Sequence, residues 1–319
     1  MGRYVLRRIL MVIVIMIAAA FVIFTILYFT PGDPAKNLLG ASATAEEVEN
    51  MRHVLGLDQP YLVQLGTFMY NTFLRVDLGN SWTYSVPVMQ ELGNRLPYTV
   101  TIGGISMILN VIIGLLLGIF AATHEGKWQD SVAMIIAMVF ISVPDFWLGL
   151  MMIVLFAQKL KWLPPYGVQY WYSFIMPIIV SSIAGIAVNA RQTRSSMLEV
   201  FRSDYITTAR AKGQKEKVVV RKHMLPNALM PIITSLGTAF TSIVAGGAVV
   251  ESVYSIPGVG LYMLTGITNR DYPVVRGCVI FFALFTSIAM LLVDLAYAFV
   301  DPRIKAQYSA SAAGKRKGA

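Results

Sequence analysis

Long apolar runs alternate with polar segments along the chain, and the length of each run decides what element it can form. The first, from Ile9 to Phe29, has about the 20 residues that a helix needs to cross hydrocarbon. Five more of that class cover about 98–122, 131–157, 172–190, 227–250 and 274–300. Backbone groups inside lipid must be hydrogen-bonded within their own segment, so runs of this length are helices. The pattern predicts an all-α polytopic membrane protein with six transmembrane helices.

Segment 31–97 is patterned differently. Thr44-Ala45-Glu46-Glu47 reads as a capping box, and Gly56 closes a helix whose Val48, Met51 and Leu55 share one face. Pro60 is placed to open a second helix carrying Leu62, Leu65, Phe68 and Met69. Ser85 and Pro87 begin a third, ending before Pro97. The expected domains are thus an N-terminal segment with the first helix (1–30), a small helical insert (31–97), a five-helix core (98–305) and a basic tail (306–319) without fixed structure.

Charge orients these elements. Of the 26 Lys and Arg, 18 fall in the segments that this topology places in the cytoplasm, and 7 of the 17 acids fall in the insert. That asymmetry puts both termini inside and the insert outside. A net charge of +9 distributed in this way fits a lipid bilayer and not a nucleic-acid partner. The first apolar run is longer than a signal peptide's and is expected to stay uncleaved. The single cysteine, Cys278, excludes an intrachain disulfide, and His53, His124 and His223 are scattered over separate segments, so no metal site is expected. No phosphate-binding loop and no nucleophile–base pair is evident, so the chain is not expected to be an enzyme or to carry a cofactor.

Several intramembrane positions stand out. Gly114 and Gly118 are spaced for close helix contact. Pro144 and Asp145 interrupt the third run, and a carboxylate in a span costs about 3 kcal/mol on insertion scales. Asp145 lies either on a translocation path or gate, or near the outer interface beside Trp147. Asp294, in the last run, is expected to pair near the inner surface, with a proton relay as the other possibility.

The longest basic stretch between apolar runs is the loop 193–226, and Arg191 to Lys222 holds nine Lys and Arg against Glu199, Asp204 and Glu216. Ser203 or Asp204 can cap a helix to Lys212, about 13 Å long, and Gly213 stops it. Phe201, Tyr205, Thr208, Ala209 and Lys212 fall near one face. A short amphipathic helix of this kind needs a partner.

The loop resembles the coupling loop of ABC importer permeases, whose pattern is E-A-A, three residues, Gly, nine residues, I-x-L-P. Here the frame is Thr207-Thr208-Ala209, Gly213 and His223-Met224-Leu225-Pro226. The spacing from Gly to Leu-Pro is kept, whereas Thr replaces Glu and His replaces Ile. Asp204-Tyr205 followed by Thr208-Ala209-Arg210-Ala211-Lys212-Gly213 is similar to the peptide-importer version, DYxxTARAKG. PGDP (31–34), LGLDQPYLVQ (55–64) and DLGNS (77–81) resemble the insert of B-type permeases of dipeptide, oligopeptide and nickel importers. ESVYSIPGVG, starting at Glu251, is similar to that family's E-x-V-F-x-x-P-G-x-G, and Leu261 to Ile267 can follow it as a short re-entrant or surface helix. Asp294, Tyr297 and Asp301-Pro302-Arg303 follow its D-x-x-Y-x-x-x-D-P-R ending.

The resemblance implies a type I ABC importer fold in a bacterial inner membrane. It implies a second, C-type permease as partner, two ABC ATPase subunits that bind ATP and Mg, and an extracytoplasmic solute-binding protein. It also implies that Phe201, Tyr205, Thr207, Thr208, Ala209, Arg210, Lys212, Gly213, Leu225 and Pro226 form the surface docking to an ATPase. Pro144, Asp145, Glu251 and Asp294 are candidates for the path or gate. Peptide is the leading substrate through the resemblance; nickel or another small solute is the alternative. An ion-coupled secondary transporter or channel, or a non-transporting receptor, are the rivals from other classes.

Overall fold

The computed structural model describes residues 2–228 and 247–300, and the side chains of 8–228 and 247–291. Most of the fifth predicted run, the side chain of Asp294 and everything after Val300 lie outside the described residues. Among the described residues the regular structure is helical, apart from one isolated antiparallel bridge between Asn80 and Pro87.

Four helical stretches among the described residues are long and apolar enough to cross a membrane: Arg8–Phe29, Val88–Thr123, Trp171–Phe201 and Tyr272–Leu291. A fifth is assembled from Trp128–Ser142 and Asp145–Lys159, which meet at 98°. The chain divides into two units, Met1–Thr99 with Pro257–Leu291, and Val100–Ile256 with Leu292–Ala319.

In the first unit, α1 (Gly2–Phe29) buries Ala20 and Phe24 while Leu10, Val14, Phe21 and Val22 stay exposed, as suits a helix with a lipid face. Its aromatic end packs on α4 (Tyr61–Leu74): Phe24 stacks on Phe68 at 5.4 Å and Tyr28 meets Tyr61 edge-on at 5.0 Å. Between them lie α2 (Pro34–Leu39) and α3 (Ala45–Leu55). The sequence reading did not anticipate α2, although its signal is local. Asp33 caps it by accepting from the Ala35 N–H at 3.0 Å, and Pro34 takes the first helical position. In α3 both halves of the capping box form, with the Thr44 N–H donating to Glu47 Oε2 at 2.8 Å, and Gly56 closes it at φ 68°.

Two expectations for this region change. Pro60 is the residue before α4 and not its first, and the inward face of α4 runs through Tyr61, Leu65, Phe68, Met69 and Thr72, leaving Leu62 exposed. The helix expected to end before Pro97 instead continues as α5 (Val88–Thr123), 36 residues long. A proline inside a helix removes a hydrogen bond at about 3 kcal/mol. Packing on both sides outweighs that cost. Val88 and Leu92, fully buried, join a cluster with Val259, Tyr262, Val274 and Cys278. Beyond the proline, Thr99 Oγ1 accepts the Val259 N–H at 2.9 Å.

That bond starts α12 (Val259–Thr268), which turns into α13 (Tyr272–Val300) around Asp271. The Asp271 carboxylate is buried and accepts from Ser81 Oγ at 2.6 Å, the Thr83 N–H at 3.0 Å and the Trp82 N–H at 3.1 Å. One side chain thereby fastens the DLGNS segment of the insert to the α12–α13 corner.

In the second unit, α6 (Trp128–Ser142) and α8 (Ile175–Phe201) are joined by Asp130 and Arg194, whose Nε and Nη2 donate at 2.5 and 2.6 Å. The C-terminal part of α5 lies so close to α8 that a Cβ on Gly118 would sit 2.4 Å from Thr193 Cβ, and one on Gly114 would sit 2.6 Å from Asn189 Cβ. The spacing of these two glycines thus has a steric cause. After α6 the chain does not merely kink. Val143 and Pro144 are extended, as a residue before proline tends to be, and α7 (Asp145–Met152, widened into a π-helix over Ile153–Lys159) leaves at nearly a right angle.

Candidate functional site

The break before the coupling helix comes later than the composition suggests, because α8 passes Arg191 and Arg194 without a break and ends only at Phe201. Ala190, Thr193 and Met197 are buried at helical spacing, so one face keeps its packing after the other has become polar. Arg202 turns the chain, donating to Glu125 at 2.9 Å. Ser203 occupies the cap position of α9 (Asp204–Ala211), but its hydroxyl donates back to the Val200 carbonyl and caps nothing.

The inward face of α9 differs from the expected one. Ile206 and Ala209 are its buried residues, in a cluster with Ala122, Met197, Val219, Met224 and Ala228. Tyr205, Thr207, Thr208 and Lys212 point outward, Tyr205 with 46% of its surface exposed. Phe201 is half-buried beside the cluster, with the Arg210 guanidinium 4.1 Å above its ring. Arg210 also donates to both Glu216 oxygens, at 3.1 and 2.7 Å. The adjacent guanidinium holds the Glu216 carboxyl below its ordinary value, and partial burial opposes this only in part. Arg210 is therefore a clasp across the turn. Ile206 was missed in the sequence because the expected face was phased one residue away.

Gly213, at φ 72°, supplies the left-handed residue that ends the helix, its N–H donating to the Arg210 carbonyl at 2.9 Å. The chain becomes helical again at Glu216, ten residues before Pro226 (α10, Glu216–Val218, continued as a π-helix over Val219–Met224 and then to 228). Pro226 therefore lies within a helix that has already begun. Leu225 is half-buried against the cluster and Pro226 is exposed.

The other candidates are not gathered with the coupling residues. Pro144 precedes α7, and Asp145 is its half-buried first residue, where a carboxylate faces the positive end of the helix dipole. Glu251 is fully buried in α11 (247–253), with Oε1 3.6 Å from where a Cβ on Gly247 would lie. The corner after Glu251 touches α7, since Tyr254 Oη donates to the Gly149 carbonyl at 3.2 Å.

Known proteins resemble the chain over nearly its whole length. Residues 114–306 match the family described as binding-protein-dependent transport system inner membrane component, and residues 1–103 match the N-terminal component of the same systems. The dipeptide transport system permease protein DppB of Alkalihalophilus pseudofirmus is 37% identical over 330 residues, covering 95% of this chain and 99% of its own. The glutathione transport system permease protein GsiC of Salmonella choleraesuis is 38% identical over 305 residues, covering 96% and 99%. Among solved structures, the inward-facing MetNI methionine ABC transporter aligns with 67% of this chain and 97% of its own at TM-score 0.57 and 20% identity. An amino acid ABC transporter aligns with 65% and 92% at TM-score 0.51 and 16% identity, and both show the same fold. The chain belongs to the family of binding-protein-dependent transport system inner membrane components and is a permease subunit of an ABC importer.

Proposed function

We propose that this chain imports di- or oligopeptides as one half of a heterodimeric pathway, with a C-type permease as the other half. Two ABC ATPase subunits dock below, and an extracytoplasmic binding protein delivers the solute above. The observation that carries the coupling part is α9 itself, a short helix glued to its own subunit by Ile206 and Ala209 and presenting Tyr205, Thr208 and Lys212 outward. An ATPase groove that covers this exposed edge moves α9 when the two ATPases close on ATP. The movement passes through the Ile206–Met197 packing and the Arg202–Glu125 pair into α8 and α5. Closure below then opens the cavity to the outside, where the binding protein releases its ligand. Pro144, Asp145, Glu251 and Asp294 are proposed to line or gate the path. The names of the similar permeases support peptide as substrate.

Copurification from gently solubilised membranes tests the assembly. A second permease and ABC ATPases are expected with the tagged chain, and Tyr205→Ala with Lys212→Glu should lose the ATPases while keeping the permease. A chain that came out alone or only with itself would overturn the assignment.

A further inference from the structure

The first unit holds an open-mouthed cavity of about 660 Å³ between α1, the insert helices and the start of α13, within the size range of small-ligand sites. Its charges are unevenly distributed. On the insert side lie Asp33, Glu49 and Asp58, with Arg52 holding the first two at 2.7 and 3.1 Å and His53 beside the third at 2.8 Å. Asp77 is occupied by the Gly79 N–H at 2.8 Å. On the α13 side the charged group is Arg276, four residues into a membrane-crossing helix.

Among the described residues Arg276 is held by a single polar bond, Nε to the Tyr272 carbonyl at 3.2 Å, and by its position 4.8 Å from the Phe68 ring centre and 5.5 Å from that of Phe24. It pairs with no carboxylate among the described residues. A guanidinium fixed by aromatic faces with both terminal nitrogens unengaged is a ready receptor for a carboxylate, which it grips with two parallel bonds. An ionised group near the end of a span also has to be explained by what it binds.

We propose that the cavity binds a short zwitterionic peptide, with its carboxylate on the Arg276 fork and its ammonium toward the Asp33, Glu49 and Asp58 side. The aromatic wall of Phe24, Phe68, Trp82 and Tyr272 covers the apolar middle. The site rests on the peptide reading above and places a waiting position in the permease itself, at the level of the insert.

The test uses the assembled membrane complex in nanodiscs without its binding protein, with L-alanyl-L-alanine and its C-terminal amide as probes. Trp82 reports from the cavity wall, and Trp82→Phe identifies its share of the fluorescence. The free acid is expected to give a saturable change at concentrations about tenfold below the amide, the size of one charge-assisted contact. Arg276→Gln should remove that preference, and Arg276→Lys, which keeps the charge without the fork, should retain part of it. Equal responses to acid and amide in the unmodified complex would overturn the proposal, as would a preference that persists in Arg276→Gln. Uptake by the full transporter with its binding protein separates the two levels. Peptide uptake without acid–amide discrimination removes the cavity alone, whereas absence of peptide uptake with discrimination intact removes the peptide importer and leaves the site.

Discussion

Single residues in this chain act through geometry that can be checked one substitution at a time. Gly213 sits at φ 72° with open space where a side chain would grow, so only backbone strain resists replacement. Gly213→Ala is expected to cost about 1 kcal/mol and to leave most peptide uptake, while Gly213→Pro, which forces φ to about −65°, should abolish it in a vesicle uptake assay. Ala209→Asp should also abolish uptake, by placing a charge in the Ile206–Met197–Met224 cluster, and should show as a more protease-sensitive loop. Asp271 offers a second case. Asp271→Ala leaves Ser81, Trp82 and Thr83 with three donors and no acceptor, each costing about 1–3 kcal/mol, so the melting temperature of the purified complex should fall sharply. Asp271→Asn, which keeps one acceptor oxygen, should fall less. The sequence did not single out Asp271, because its partners lie 188–190 positions away and nothing local announces them.

At the level of elements, helix ends written in four or five residues were legible. The Thr44–Glu47 box, the stop at Gly56 and the left-handed Gly213 all occur where their local chemistry places them. Boundaries inferred from hydropathy were not. Hydropathy reports where lipid ends, and α8 continues eleven residues beyond Ala190 because its Thr193–Met197 face still packs. The same confusion split α5 at Pro97, where burial of Val88 and Leu92 on one side and the Thr99 contact on the other hold the helix together. Element packing also yields a paired prediction. Gly118→Val should destabilise the complex in a thermal assay by pushing α5 from Thr193, whereas Gly104→Ala, which meets open space, should be neutral or slightly stabilising. The Arg210–Glu216 clasp between α9 and α10 is half-exposed and worth at most about 1 kcal/mol. Because Glu216 titrates below its ordinary 4.5 when folded, that contribution is intact above pH 4.5 and disappears as pH falls through the lowered value. Coupled ATPase activity between pH 6 and 8 should therefore owe no pH dependence to this pair, and Glu216→Gln should flatten nothing in that range.

For the whole molecule, the alternation of apolar runs was enough to establish an all-helical membrane protein, and the spacing around Gly213 was enough to recognise the importer permease. The right angle at Pro144 was not legible, since a proline in an apolar run signals a break without its size. The charge asymmetry is the basis for the proposed orientation, which can be tested directly. With Cys278 replaced by Ala, a single cysteine at Glu49 should react with an impermeant maleimide added outside intact cells, and one at Lys212 only after the membrane is opened.

The unbroken run of α8 from Ile175 to Phe201 has a mechanical consequence. Only Arg202 and Ser203 separate its end from α9, so the joint has almost no backlash. A coupling made this way transmits a pull as faithfully as a push, and its compliance is that of two residues. Lengthening the joint with Gly-Ser-Gly between Arg202 and Ser203 should leave the ATPases attached and turning over while import stops, an engine running out of gear.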